Sequence, residues 1–419
     1  MKRIAFYTLG CKVNQADTAS MEAIFRSHGY TVVGFNCEAD IYVINRAVRR
    51  NPTAFVVVTG CYPQTAAEEV KTIPGVDLII GNQDRADIVR LVEEAAAFQS
   101  VDTIDSVRKL SANTEFEELS AGDVSDKTRA FLKIQEGCNQ FCTYCIIPFA
   151  RGPLRSRSLT SIREEVKKLV ASGYKEIVLI GIHLGCYGKE HDGKLTLFDA
   201  VEAALSVEGL QRLRLGSLES VEVEARLLNL MEKDKRLCRQ LHLPLQAGCD
   251  TTLVRMHRPY DTRRFTELLA DIRKRIPDIA ITTDIIAGFP GETEEEFAST
   301  LVFAENCGFS KMHIFPYSKR KGTPAEKMPN QIPETVKQRR CAQLAELDHK
   351  QQQKFLERFV GSAVEVLFEQ TVEDGYIEGL TSNYLRVYVR SEAELCGKIR
   401  KVRLLKAETS FLIGELLKE

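Results

Sequence analysis

Three thiols crowd one short stretch. In EGCNQFCTYCIIPFARG, residues 136 to 152, Cys138, Cys142 and Cys145 are separated by three residues and then by two. A structural zinc ion wants four ligands, so a zinc site here has to recruit a remote Cys or His such as His183. A redox dithiol needs no third cysteine. Thiolates also hold iron–sulfur clusters. A 4Fe–4S cubane gripped by three of them keeps one iron open to an external ligand. From spacing alone the cluster leads, zinc stays open, and a plain dithiol fits least.

Two further cysteines, Cys11 in LGCK and Cys61 in TGCY, lie in glycine-containing contexts just after strand-like runs. The other seven are scattered and read as small buried hydrophobes. Twelve cysteines in all, with no leader-like N-terminus, argue for reduced thiols and a cytoplasmic setting rather than a disulfide framework. No apolar run is long enough to span a bilayer. The net charge is −1, so any nucleic-acid contact has to come from local patches.

The elements that must position these residues fall into three regions. Residues 1–105 alternate β-rich runs with amphipathic helices, which predicts a doubly wound α/β domain with a parallel sheet. DTASMEAIFRSHG is its first predicted helix, capped by Asp17 or Thr18. Ligands collect at the carboxyl ends of such strands, where Cys11 and Cys61 fall. One connection is too short. Between ADIYVIN and AFVVVTGC lie eight residues, Arg46 to Thr53. A parallel crossover needs about a dozen. Either the two strands are not parallel neighbours or a segment is absent after Asn45, and the second reading is preferred.

Residues 106–128 read as a polar linker. Residues 129–357 repeat strand and helix six times, which predicts a partial (β/α)6 TIM-like barrel with its chemistry at the strand carboxyl ends. Residues 360–419 switch to period two and predict a small antiparallel β-barrel. Within it, YLRVYVR puts Tyr384, Arg386, Tyr388 and Arg390 on one face. Rings alternating with guanidinium groups suit single-stranded nucleic acid. Arg400 and Lys401 add the charge that phosphates need.

The triplet, with Tyr144 and its place after the first barrel strand, resembles the radical S-adenosylmethionine (SAM) signature. LGCKVNQADT, TGCYPQ, HLPLQAGCD and IIAGFPGETEEEF extend the likeness to the methylthiotransferase family over nearly the whole chain. CIIPFARG, GSLES and GIHLGCYG are most similar to its tRNA threonylcarbamoyl-adenosine branch. The resemblance implies a radical SAM barrel and an RNA-binding, OB-like TRAM barrel. It implies a transferase that places a methylthio group on the adenosine next to the anticodon. It implies SAM and two 4Fe–4S clusters, the radical one on Cys138, Cys142 and Cys145. The second would use Cys11, Cys61 and a third cysteine that this sequence lacks after YVIN. An electron donor such as flavodoxin or ferredoxin, and a sulfur donor, are implied as partners, with no membrane.

Tyr144, Glu219, Gln246 and Gly288 are the candidate SAM-binding residues, and Arg386, Tyr388, Arg400 and Lys401 the candidate RNA-binding ones. Arg151, Arg155 and Arg157 suit RNA phosphates, cofactor steering or plain salt bridges. His183, His242 and His313 sit at strand ends, where a satisfied core histidine is the commoner outcome. The rival functions are a ribosomal-protein aspartate methylthiotransferase, an isopentenyl-adenosine tRNA methylthiotransferase, and a non-catalytic metal-bearing RNA-binding protein.

Overall fold

The computed structural model describes residues 2–44, 51, 53–98, 102–111, 113–122, 128–192 and 194–418. Its first body is a six-stranded parallel sheet: β1 (Arg3–Tyr7), β2 (Thr31–Val33), β3 (Ile41–Ile44), β4 (Phe55–Thr59), β5 (Leu78–Ile80) and β6 (Ile104–Ser106), in the order β2-β1-β3-β4-β5-β6. Helices α1 (Lys12–Ser27), α2 (Cys61–Lys71) and α3 (Ile88–Phe98) pack on it. The strands are nearly continuous runs of Val and Ile, as burial on both faces requires. β1 and β3 flank the point where strand order reverses, which is where open α/β sheets bind ligands.

α1 begins at Lys12, with Cys11 as its N-cap, so the expected cap at Asp17 or Thr18 is corrected. Asp17 is buried and engaged by cations of the next domain, which tertiary pairing favours over a local cap. β3 and β4 are hydrogen-bonded parallel neighbours, Ile41 opposite Phe55. That removes the first explanation for the short connection. The break after Asn45 itself lies outside the described residues.

The second body runs through β7 (Arg129–Glu136), α4 (Ile147–Arg151), β8 (Arg155–Ser156), α5 (Leu159–Ala171), β9 (Glu176–Gly181), α6 (Leu197–Leu205), β10 (Arg212–Leu215), α7 (Ala225–Lys233), β11 (Gln240–His242), α8 (Asp250–Arg255), α9 (Thr262–Arg275), β12 (Ala280–Ala287), α10 (Glu294–Cys307), β13 (Lys311–Pro316) and α11 (Glu334–Glu357). β7, β9 and β10 form one parallel group and β11, β12 and β13 another. Single bridges, Leu213 to Leu237 and Ser217 to His242, join them into a six-stranded arc. Leu and Ile on the outer face pack against the helices and make the largest core. α11 covers the free edge of β13, where Asp348 accepts from the Met312 amide at 2.6 Å.

β14 (Ala363–Thr371), β15 (Tyr376–Thr381), β16 (Arg386–Arg390), β17 (Ile399–Ala407) and β18 (Leu412–Leu416) close into a small barrel. Alternation holds in β16, with Val387 and Val389 buried and Arg386 and Arg390 exposed. Tyr384 departs from that pattern. It precedes β16 at φ 65° and lies under the Arg214 guanidinium, 4.7 Å from the ring centroid. It docks this barrel on the strand starts of the second body and is no part of an RNA face.

The inner face of the arc is unevenly filled. Val13 and Ala16 of α1 pack against Val178 and Ile180 of β9. Arg129, Glu176, Arg212, Arg214 and Tyr384 plug the end where the strands begin. The inner face of β11, β12 and β13 keeps exposed side chains, among them His313 and Phe315.

Candidate active site

β7 delivers the thiol loop to the carboxyl end of the arc. Gly137 turns the chain out of β7 at φ 77°, and a Cβ there would overlap the Pro153 carbonyl. That close approach lets the Cys138 amide donate to Gly152 O at 3.0 Å. Further on, the Cys145 amide donates to Cys142 O at 3.0 Å. Thr143 is clamped from both sides, its amide donating to Met256 O at 3.1 Å and its carbonyl accepting from the Ala325 amide at 2.8 Å. The loop is therefore preset by backbone bonds to three other segments.

Cys142 is buried, and Cys138 and Cys145 are half-buried. Burial, with the neighbouring thiols adding to it, pushes the Cys145 thiol up to about 11. Three thiolates at one spot need a positive group among them. Among the described residues, His183–Cys186–Glu222 and His242–Asp284–His313 are the groups whose ligand atoms all lie within 4.8 Å of one another. Three soft thiolates from one loop suit an iron–sulfur cluster, whereas zinc would want a fourth ligand from elsewhere.

Beside the loop stands Arg258, which sequence reasoning missed. Its side chain is 2% exposed. It donates to Cys142 Sγ at 3.2 Å, to the Tyr144 hydroxyl at 3.4 Å, to the Tyr260 hydroxyl at 3.0 Å, and to Glu219 in a short ion pair. Burial opposes its charge, yet Tyr144, Tyr260 and Glu219 hold its pKa well above the usual arginine range. Burial likewise keeps the Tyr144 phenol protonated. Thus Tyr144 and Glu219, both predicted, are brought together at the triplet by a residue with no spacing signature of its own.

Gln246 sits at φ 66°, its amide donating to Asp284 O at 2.8 Å. Gly288 ends β12 at φ 74°, and its amide donates to Glu292 Oε2 at 2.7 Å. A Cβ at Gly288 would meet the Lys337 side chain. On the other flank, His183 Nδ1 lies 3.4 Å from Cys138 Sγ and Nε2 lies 3.0 Å from Glu222 Oε1. Burial disfavours its charge, but Cys138, Cys186 and Glu222 outweigh that and push the imidazole up to about 12.

The three arginines after the triplet are buried, so a role on RNA phosphates is corrected. Arg151 donates to Cys61 Sγ at 3.0 Å, to Asp17 at 2.8 Å and to Glu136 at 2.5 Å. Burial works against the Glu136 carboxylate, but Lys133, Arg85 and Arg151 hold it well below the usual range. This network ties the Cys61 loop to the triplet loop across the domain boundary. Cys11 is exposed at the start of α1, and Cys61 opens α2. They follow β1 and β4, which both flank β3. Two thiols are one short of the set that the resemblance implies. The third that the resemblance implies after β3 has no counterpart, since residues 45–54 of this sequence hold no cysteine. The N-terminal pair fits a second cluster only in part.

In the small barrel, Arg386 and Tyr388 share a face with Glu378, which accepts from the Tyr388 hydroxyl at 2.8 Å and lies 3.5 Å from Arg386 Nε. Tyr388 packs edge-on against Phe411 beside an apolar groove of about 560 Å³. Arg400 and Lys401 lie on β17, across β18 from β16. No helix among the described residues is long and apolar enough to cross a membrane.

Residues 132–304 match the Radical SAM superfamily, and residues 3–50 match the uncharacterized protein family UPF0004. The chain is 38% identical to the threonylcarbamoyladenosine tRNA methylthiotransferase MtaB of Bacillus subtilis, over 100% of this chain and 97% of that protein. It is 36% identical to the Aquifex aeolicus protein of the same name, over 96% and 99%. A tRNA-2-methylthio-N(6)-dimethylallyladenosine synthase of Clostridium botulinum is 33% identical, over 97% and 95%. The Bacillus alignment runs to 439 positions against 419 residues here, so at least 20 of its positions have no counterpart in this chain. In fold, the chain is similar to the radical SAM methyltransferase TsrM of Kitasatospora setae, with TM-score 0.57, 13% identity, and 78% and 77% of the two chains covered.

Proposed function

This chain belongs to the radical SAM methylthiotransferase family, and on that premise we propose that it converts threonylcarbamoyladenosine beside the anticodon of tRNA to its 2-methylthio derivative. The observation that carries the reading is the 38% identity across the whole chain, in a molecule whose triplet sits at the open end of a radical SAM arc. The anticodon loop is single-stranded, so the target base can enter the arc without breaking a duplex.

Cys138, Cys142 and Cys145 would hold a 4Fe–4S cluster. With SAM bound, that group would supply the radical chemistry that takes hydrogen from an adenine C–H bond. The chain's own residues do the positioning. Gly137 and the Thr143 clamp fix the thiols before iron arrives. Arg258 bonds both Cys142 and Glu219 and would thereby hold the carboxylate beside the triplet, where it would accept hydrogen bonds from the nucleotide. Gln246, after β11, and Gly288, after β12, would add nucleotide contacts from that side. Arg386, Tyr388, Arg400 and Lys401 would hold the RNA.

A second 4Fe–4S cluster in the N-terminal domain is part of the proposal, with Cys11 and Cys61 as two ligands. No transfer step is assigned to it, because the described residues offer two thiols there. Sulfur, electrons from a flavodoxin or ferredoxin, and a second SAM for the methyl complete the balance, in the cytoplasm where tRNA is modified. The test is anaerobic reconstitution followed by incubation with SAM, reductant and tRNA carrying threonylcarbamoyladenosine. Nucleoside mass spectrometry should show the methylthio product. Thiolation of dimethylallyladenosine or of a ribosomal protein in its place refutes the substrate, and a colourless, iron-free protein refutes the chemistry.

A further inference from the structure

Half of the inner face of the arc carries a polar group that the chemistry above leaves unused. His242 on β11, Asp284 on β12 and His313 on β13 have side-chain donor atoms that all lie within 4.8 Å of one another. The strand register explains the grouping. His242 is paired with Thr282, two residues before Asp284 on the same face, and Asp284 is paired with His313. The His242 ring is held at both nitrogens, by Thr282 Oγ1 at 2.9 Å and by Asp284 Oδ2 at 3.3 Å. The His313 ring lies 5.6 Å from it, is exposed, and is tilted by 56°.

One layer nearer the triplet end, Phe315 is 51% exposed on the same face, opposite Ile286. α1 and the arginine plug occupy the other parts of the inner face, so this half is the accessible one. Asp284 lies four residues before Gly288, about 13 Å along the strand. A ligand whose base sits below the triplet loop would therefore reach the trio with whatever projects from that base.

We infer that Phe315 takes the face of the target adenine and that His313 and Asp284, the latter held by His242, bind its N6 substituent, which must be polar. The inference rests on the substrate reading above and deepens it. A threonylcarbamoyl group offers a carboxylate, a hydroxyl and urea N–H groups. His313 donates a ring N–H to the carboxylate, and Asp284 accepts from the hydroxyl or urea. An apolar dimethylallyl group would displace water from His313 and from the Asp284 oxygen that His242 does not engage without replacing its hydrogen bonds, which is how a hydrogen-bonding site rejects an analogue lacking the polar group.

Three anticodon stem–loop RNAs test this: one with threonylcarbamoyladenosine, one with dimethylallyladenosine and one with plain adenosine. Wild-type reconstituted enzyme should prefer the first over the second by at least about 100-fold in kcat/KM. His313→Phe and, separately, Asp284→Asn should lower kcat/KM for the first RNA by about 10- to 100-fold, chiefly through KM. Neither should lower it for the second, so the preference ratio falls. Dissociation constants for the same RNAs should move in parallel, which gives a readout independent of turnover. The inference is overturned when both variants, each with wild-type iron content, keep the wild-type ratio. It is also overturned when wild-type preference vanishes on dialysis against a chelator with iron content unchanged and returns with zinc, because the trio then binds through an ion. A wild-type enzyme that does not favour the first RNA refutes the substrate reading instead.

Discussion

Arg258 is the residue on which the cofactor side of the site turns, and its removal has a calculable effect. Its side chain is 2% exposed and that of Glu219 is 15% exposed, so the pair is shielded from the solvent that makes surface ion pairs weak. Replacing Arg258 by Gln leaves the Glu219 carboxylate in a half-buried place with no cation. It then turns toward water or protonates, and in either case no longer presents an aimed acceptor. A hydrogen bond to a charged group is worth about 1.5–3 kcal/mol, which is about 10- to 150-fold in a dissociation constant. Arg258→Gln and Glu219→Gln should each weaken SAM binding by about that factor, measured by equilibrium dialysis on reconstituted protein of verified iron content. The double variant should be little worse than either single one, because both remove the same acceptor. Losses that add within about 0.5 kcal/mol would show that the two residues act independently, and the positioning role assigned to Arg258 would be wrong.

Two other perturbations follow from the geometry. Gly137→Ala puts a side chain at φ 77°, at a cost of about 1–2 kcal/mol, and drives its methyl into the Pro153 backbone, which cannot yield. Bound iron should fall well below that of Gly173→Ala, which has φ 96° but open space around the new methyl, and equal iron in the two variants would contradict a preset loop. On the small barrel, Arg400→Ala and Lys401→Ala should each weaken tRNA binding uniformly across sequences and reduce the slope of log K against log salt by about 0.7–0.9. Arg386→Ala should change it less than Lys401→Ala, since Glu378 already lies 3.5 Å away, and unchanged slopes at all three positions would remove this barrel from the RNA site.

What the sequence disclosed follows from how each feature is encoded. The triplet is local, three residues in one loop, and its spacing could be read directly. The strands were legible because burial on both faces writes them as Val and Ile runs, and the period-two segment announced the last barrel. Tyr384 misled because alternation was extended two residues past the start of β16, to a position whose positive φ breaks the alternation. Asp17 misled for a related reason. A polar residue before an apolar run satisfies the local rule for a cap, and only the neighbouring domain shows that it faces Lys133 and Arg151. Arg258 carried no local signal, and His242 and His313 read only as strand-end histidines with nothing to join them to Asp284. Arg258 is 39 residues from Glu219 and 116 from Cys142. The trio is assembled by register across three strands, so a shift of one residue in β12 would turn Asp284 to the outer face and dissolve it. In this arc, the residues proposed to hold iron are therefore readable from spacing, whereas those proposed to choose the substrate are fixed by strand pairing. If the proposal holds, the inward-facing positions of the threonylcarbamoyl and dimethylallyl enzymes among this chain's relatives are where a difference in substrate should be sought.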